Sequence, residues 1–277
     1  MARIASLSIL LSTEGNDFLK EEYGKVIDNV QKKTISAQIK NKNLSGNPSA
    51  GTVEAKRFEN KTSKAYGTAR SGGAGQKTKA TPVVVAIDTD RELISEVEQK
   101  DVNLYGVDAF VARQAANDGK AMERELERAF FAEAVTAGTA LTLTGTTVEE
   151  QAEEMIQAVE TVQNDFVDGV ERDMIQLVCK PKFFGKLRIY MDKVEDGGAA
   201  GEEIGYYHGV KVKSSVYLPA GVENAIVMAN ESIAQPVMIT QSPAAKIPLS
   251  NAISFGLFYS YGTKAVAPDL IFYDGSF

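Results

Sequence analysis

The stretch Asn103–Ala137, NLYGVDAFVARQAANDGKAMERELERAFFAEAVTA, sets Leu104, Val107, Val111, Ala115, Met122, Leu126 and Phe130 on one side at helical spacing. The opposite side carries Lys120, Glu123, Arg124, Glu125, Glu127 and Arg128, several of them pairing in sign three residues apart. That pattern suits a solvated or inter-subunit face, with Arg124, Glu127 and Arg128 as its candidate contact residues. At 1.5 Å per residue the helix runs roughly 50 Å, more than the diameter of a small domain, so one core of its own cannot wrap it. It reads as a spine on which other parts are mounted. Gly119 weakens its middle by about 1 kcal/mol relative to Ala and is a candidate bend.

Composition narrows the function classes. A chain of 277 residues supports one large or two modest domains, and a net charge of −7 argues against nucleic-acid binding through overall charge. A single cysteine, Cys179, excludes an intrachain disulfide, and its place in the apolar run Met174–Cys179 reads as a small buried hydrophobe. His208 is the only histidine and sits in a turn-like Gly205-Tyr206-Tyr207-His208-Gly209. His-cluster metal sites are thereby excluded and a Ser-His-Asp triad is disfavoured; no cofactor is expected. No stretch approaches the roughly 18 apolar residues of a membrane span. Ile4–Leu11 is short, interrupted by Ser6 and Ser8, and reads as part of an N-terminal arm of a soluble intracellular protein.

Upstream of the spine, Asp17 is placed to cap a helix with Leu19, Tyr23, Val26 and Val30 as its apolar positions. Ser45-Gly46-Asn47-Pro48 ends that arm, which reads as a short helix with loose flanks and too little apolar surface to fold alone. Between Gly51 and Ala80 stand seven basic residues, Lys56, Arg57, Lys61, Lys64, Arg70, Lys77 and Lys79, against Glu54 and Glu59, a balance of +5. With Ser71-Gly72-Gly73-Ala74-Gly75 at its centre and β-branched Pro82–Ile87 and alternating Leu93–Val97 beyond, the segment reads as a long hairpin without a hydrophobic face. Such a ribbon is marginal alone in water and is expected to lie on a neighbouring subunit. A phosphate-binding reading of the glycines lacks the GK[ST] that should follow, and a disordered linker is the simpler rival.

Downstream, Thr147-Val148-Glu149-Glu150 is a T-x-x-E capping box opening a helix with Val148, Ala152, Met155, Val159, Val162 and Phe166 on one face. Met174–Cys179 is a buried strand, and Pro181 starts a helix with Phe184, Leu187 and Ile189 or Tyr190 inward. From Glu149 to Asp173 nine acids face one Arg172, a solvated face or a complement to the basic hairpin; Glu149, Glu150, Glu153 and Glu154 are its candidate contacts. Strands are expected over Val210–Tyr217, Ala225–Ala229, Val237–Thr240, Ile253–Tyr261 and Lys264–Phe272, braked by Pro268.

Three stretches then acquire meaning from their order: Leu177-Val178-Cys179-Lys180-Pro181; Ile204-Gly205-Tyr206-Tyr207-His208-Gly209-Val210-Lys211-Val212 with Leu218-Pro219; and Tyr261-Gly262-Thr263-Lys264-Ala265-Val266-Ala267-Pro268. In these, and in its succession of parts, the chain resembles the major capsid proteins of tailed bacteriophages with the HK97-type fold. The resemblance implies an α+β chain with an N-terminal arm (1–48), an extended hairpin or E-loop (49–100), a spine helix with peripheral domain (101–145), a mixed α/β axial domain (146–235) and C-terminal peripheral strands (236–277). It also implies a structural role rather than an enzymatic one: hexamers and pentamers closing an icosahedral shell around packaged double-stranded DNA, in a virion assembled in the bacterial cytoplasm. A separate scaffolding protein and a portal are the expected partners, since the arm begins almost at Met1. Some relatives crosslink Lys to Asn with the help of a glutamate; here Asn251 is present but no glutamate follows Glu231, so crosslinking is not expected. An encapsulin-type compartment has the same fold, but its tryptophan-containing N-terminal helix is missing. An α+β enzyme is the alternative from another class, with no carboxylate pair or nucleophile elbow to support it.

Overall fold

The computed structural model describes residues 6–67, 78–102, 106–194 and 205–275. After a 3₁₀ turn at Leu7–Leu11 the elements are α1 (Thr13–Lys33), α2 (Ile35–Ile39), β1 (Leu44–Ser45), β2 (Thr52–Phe58), β3 (Ala80–Ala86), β4 (Thr89–Val97), α3 (Gln99–Val102) and α4 (Val107–Ala137). There follow β5 (Thr139–Leu141), α5 (Val148–Glu160), β6 (Ile175–Cys179), α6 (Pro181–Val194), β7 (Tyr206–Tyr207), β8 (Val210–Ser214), β9 (Val222–Ala229), β10 (Ile233–Ala234), β11 (Val237–Lys246), β12 (Ile253–Tyr261), β13 (Lys264–Ala265) and β14 (Ile271–Gly275). Contacts group the chain into two compact units: Met1–Gln38, Ala86–Ala129 and Gln235–Gly262 in the first, and Ile39–Val85, Phe130–Ala234 and Thr263–Phe277 in the second. The long helix α4 contributes to both.

In the first unit, β11, β12 and β4 form an antiparallel sheet in which β4 pairs with β12 from Thr89↔Tyr261 to Val97↔Ile253. Its inner face (Ile253, Phe255, Leu257, Tyr259, Tyr261) packs with the spine stripe Val107, Val111, Ala115, Met122 and Leu126, all buried as their spacing predicts. Leu104, the first member of that stripe, lies outside the described residues. Leu19, Tyr23, Val26 and Val30 of α1 complete the cluster. The N-terminal helix is therefore a 21-residue core element of its unit and not a short helix with loose flanks. Ser12 caps it by accepting the Gly15 N–H (3.2 Å), and Asp17, expected as the cap, falls inside the helix. Gly119 marks a close approach where a bend was expected. A Cβ there would stand 2.5 Å from Val26 Cγ1, so the missing side chain is what lets α1 seat against α4.

In the second unit a six-stranded sheet has the order β5-β14-β9-β6-β8-β7, with β5–β14 and β6–β8 parallel and the other pairs antiparallel. Every residue of β6 is buried, as the continuous apolar run predicts. Helices α5 and α6 pack on this sheet through Ala152, Met155, Ile156 and Val159, and through Phe183 and Leu187. The capping box forms as read: Thr147 accepts the Glu150 N–H and Glu150 answers to the Thr147 backbone. Helix α5 stops at Glu160, not near Phe166. Beyond it Asn164 Oδ1 accepts from the N–H groups of Phe166 (2.8 Å) and Val167 (3.0 Å), an Asx turn that competes with helical bonding. Helix α6 buries Leu187 and packs Phe184 and Tyr190 against the core, as expected with Tyr190 rather than Ile189 (57% exposed), and it buries Phe183 as well. His208 and Gly209 both have positive φ (45° and 91°) between paired Tyr207 and Val210, the two-residue turn that the sequence indicated. Leu141, read as turn, belongs to the short strand β5, and Pro268 divides the last expected strand into β13 and β14 with a 3₁₀ turn between them.

Candidate subunit-interface surface

The basic segment is a ribbon with a buried root. Strands β2 and β3 are neighbours in a sheet of order β1-β2-β3, and Glu59 N–H to Lys79 O (3.1 Å) carries the pairing one step further. β3 is an edge strand, which is where its Pro82 is tolerated, since an edge N–H has no ladder partner to lose. At the root Val53, Ala55 and Val85 are almost fully buried; outward, Phe58, Val84 and Tyr66 are 58, 57 and 91% exposed. A ribbon that hides its base and shows three large apolar side chains on its length has a surface suited to a second macromolecule.

Its charges divide into two kinds. Lys56 is exposed; Lys61 donates to Thr78 Oγ1 (2.5 Å), and Lys79 pairs with Glu59 at 3.2 Å while remaining 71% exposed. Such exposed pairs contribute little on their own. Lys64 is described and exposed; Arg70 and Lys77, with the glycine tip, lie outside the described residues. Arg57 differs from the other described bases of the ribbon. Its guanidinium binds Asp269 in a two-pronged ion pair (2.5 and 2.7 Å) and lies 4.3 Å from the centre of the Phe166 ring. Asn164 donates to the same carboxylate (2.5 Å), and the Asn60 N–H donates to Asp165 O (2.8 Å). Burial pushes the Asp269 carboxyl up, but Arg57 and Asn164 together outweigh it and hold it below the usual carboxylate range. Arg57, singled out as an inter-subunit residue, is thus engaged within its own chain.

The acidic set is also largely committed. Glu150 caps α5, and its carboxyl is held low by the Thr147 and Thr146 backbone N–H groups. Glu154 accepts from Thr144 N–H (2.8 Å) and Oγ1, which likewise lowers it. Glu153 and Glu160 share Arg172, the one base in this acidic run. Glu149 is half-buried, and its backbone carbonyl accepts from the Tyr207 hydroxyl (3.4 Å). On the spine, Arg124 and Arg128 are exposed, but Glu127 is 1% exposed, and this corrects its place on a solvated face. Its Oε1 accepts the Ser36 N–H (2.8 Å) while Oε2 is buried without a hydrogen-bond partner among the described residues, and burial raises its pKa. Glu125, on the same side, accepts from Tyr259 (2.7 Å), Tyr261 (3.1 Å) and Arg91 (2.6 Å).

The residues missed from sequence are therefore Asp269, Asn164 and Phe166, which answer Arg57 from up to 212 positions away. The Asn164-Asp165 pair carried a turn signal; Asp269 carried none. Among the described residues no group of three His, Cys, Asp or Glu is placed to hold a metal, and no helix is long and apolar enough to cross a membrane. Cys179 is buried, and burial pushes its thiol far above the usual range.

No protein-family model matches the sequence, and no curated protein does. The structure has clear relatives. A chain of Mycobacterium phage Che8 is similar with a TM-score of 0.61 at 18% identity, over 88% of this chain and 93% of that one. The capsid structure of the cyanophage P-SCSP1u gives 0.61 at 14%, over 87 and 88%. A virus-like particle from Pyrococcus furiosus gives 0.59 at 12%, over 91 and 97%. The fold of this chain is the HK97-like α+β capsid fold.

Proposed function

We propose that this chain is the major capsid protein of a tailed bacteriophage, a structural and non-enzymatic subunit of an icosahedral shell that encloses packaged double-stranded DNA. The observation that carries the reading is the likeness to phage capsid structures over more than four-fifths of both chains. Two further features support it. The exposed ribbon offers Phe58, Tyr66, Val84 and the lysines at 56, 61, 64 and 79 to a neighbouring copy, with Arg70 and Lys77 completing its charge. A net charge of −7 keeps a container from gripping the DNA that must enter and leave it.

In this reading hexamers and pentamers form in the bacterial cytoplasm with a separate scaffolding protein and a portal, and residues 1–48, 49–100, 101–145, 146–235 and 236–277 serve as arm, E-loop, spine, axial domain and peripheral strands. A similar chain forms a virus-like particle from Pyrococcus furiosus, and the content of the shell decides between a DNA container and a protein compartment. The test is negative-stain microscopy and sedimentation of the protein made alone and with its neighbouring genes. Closed shells or rings of five and six, filled with DNA in the complete system, are the expected result. Shells filled with another protein would replace the phage reading by a compartment, and a stable monomer under both conditions would overturn it.

A further inference from the structure

A two-stranded ribbon is soft at its root. Pairing and twist hold the strands to one another, yet they leave the direction of the pair loosely fixed. The 21 residues between Phe58 and Ala80 can reach at most about 35 Å out and back, so a 10° error at the base moves the far end by at most about 6 Å. A contact made by such an arm needs its root held. The second unit supplies four groups at that place, from three separate parts of the chain. Arg57 leaves β2 near its last residue; Asp269 stands in the 3₁₀ turn Pro268–Leu270; Asn164 and Phe166 come from the turn after α5. Arg57 is only 16% exposed and Asp269 29%, so this is a partly desolvated pair, unlike the 71% exposed Lys79 beside it.

The chemistry asks for arginine in particular. A planar fork can meet both carboxylate oxygens and lie against an aromatic face at once, which a lysine ammonium cannot do. Asn164 ties the carboxylate to the turn that presents Phe166, so guanidinium, acid and ring position one another. One residue beyond Glu59, the Asn60 N–H bonds Asp165 O and fastens the strand exit to the same turn.

We infer that Arg57, Asp269, Asn164 and Phe166 form a latch that sets the direction of the ribbon, with Arg57 a positioning residue for subunit contact and not a contact residue itself. The latch is a property of the single chain; its consequence for assembly rests on the shell reading above. Two readouts keep these apart. The first is amide hydrogen exchange on the unassembled subunit for Arg57→Ala, Asp269→Ala and the double variant. Exchange across Thr52–Asn60 and Ala80–Ala86 should rise at least tenfold in each, with α4 and β12 unchanged, and the double variant should be no worse than the worse single. Unchanged exchange, a uniform rise through the whole chain, or additive effects of the two singles would each overturn the latch.

The second readout is particle yield and diameter, with Arg57→Lys as the conservative variant. Loss of uniform particles in Arg57→Ala and incomplete rescue by Lys are expected, because a point charge keeps the sign and loses the fork. Uniform particles of wild-type size from Arg57→Ala would refute the positioning role. If the wild-type chain forms no particles in any setting, the shell reading fails, and the exchange experiment still decides the latch.

Discussion

The interior of the first unit and the ribbon of the second treat charge in opposite ways. The first unit draws acids inward and bonds them within its own interior: Asp118 accepts from Tyr23 (2.9 Å) and Gln114 (2.9 Å), Glu125 from two tyrosines and Arg91, and Glu127, through one oxygen, from the Ser36 N–H. The ribbon holds one base, Arg57, in a partly buried pair at its root, while Lys56, Lys61, Lys64 and Lys79 are exposed. A region closed on itself makes single atoms matter to stability. A region left open makes its charges matter only when something arrives.

The contrast can be broken by substitution, and the largest effects belong to the closed region. Met122→Ala removes a fully buried side chain from the spine stripe and should cost about 2–5 kcal/mol in chemical denaturation. Gly119→Ala gains about 1 kcal/mol of helix propensity but drives a Cβ to 2.5 Å from Val26, an overpacking of roughly 1–3 kcal/mol, so a net loss of stability is expected. A net gain would mean that α1 moves freely over α4.

Acidity supplies a finer distinction. Burial raises the Glu127 carboxyl, with Glu123 nearby adding to it, so the native state binds that proton more readily than the unfolded chain. Its presence therefore lowers stability as pH rises from the ordinary carboxylate value to the raised one, and the loss persists above. Glu127→Gln should gain on the order of 1 kcal/mol at pH 7, with the advantage over wild type shrinking as pH falls through that window. Asp269 has the opposite sign: its lowered carboxyl stabilises the fold above the ordinary value, and that contribution is lost as pH falls through the lowered one. Parallel pH curves for Glu127→Gln and wild type would contradict the buried-acid assignment.

The smallest effect on stability belongs to the ribbon. Reversing Lys56, Lys61 and Lys64 together should leave the melting curve within about 0.5 kcal/mol of wild type while assembly is lost. Unchanged particle yield would count against the ribbon as a contact surface.

What was legible in the sequence follows the same division. Local periodicity exposed the spine stripe from Val107 to Phe130, the Thr147–Glu150 box and the bounds of β12, because each is decided by neighbours within a few residues. The sign pattern on the spine misplaced Glu127. Its neighbours in sequence made it look solvated, while Ser36, ninety-one positions away, covers it. The Arg57 latch was invisible for the same reason: charge counting sees seven bases and cannot tell which one has a partner 212 residues downstream. The end of α5 was readable in principle, since Asn164-Asp165 is a turn signal, but the apolar spacing through Val162 and Phe166 outvoted it.

The most direct test of the account is a cryo-electron-microscopy map of particles made from the complete gene set. The account predicts an icosahedral shell in which the ribbon from Glu59 to Lys79 lies on a neighbouring subunit while Arg57 and Asp269 stay paired within one chain. A ribbon folded back on its own chain, or Arg57 paired with a carboxylate of the neighbour, would contradict it.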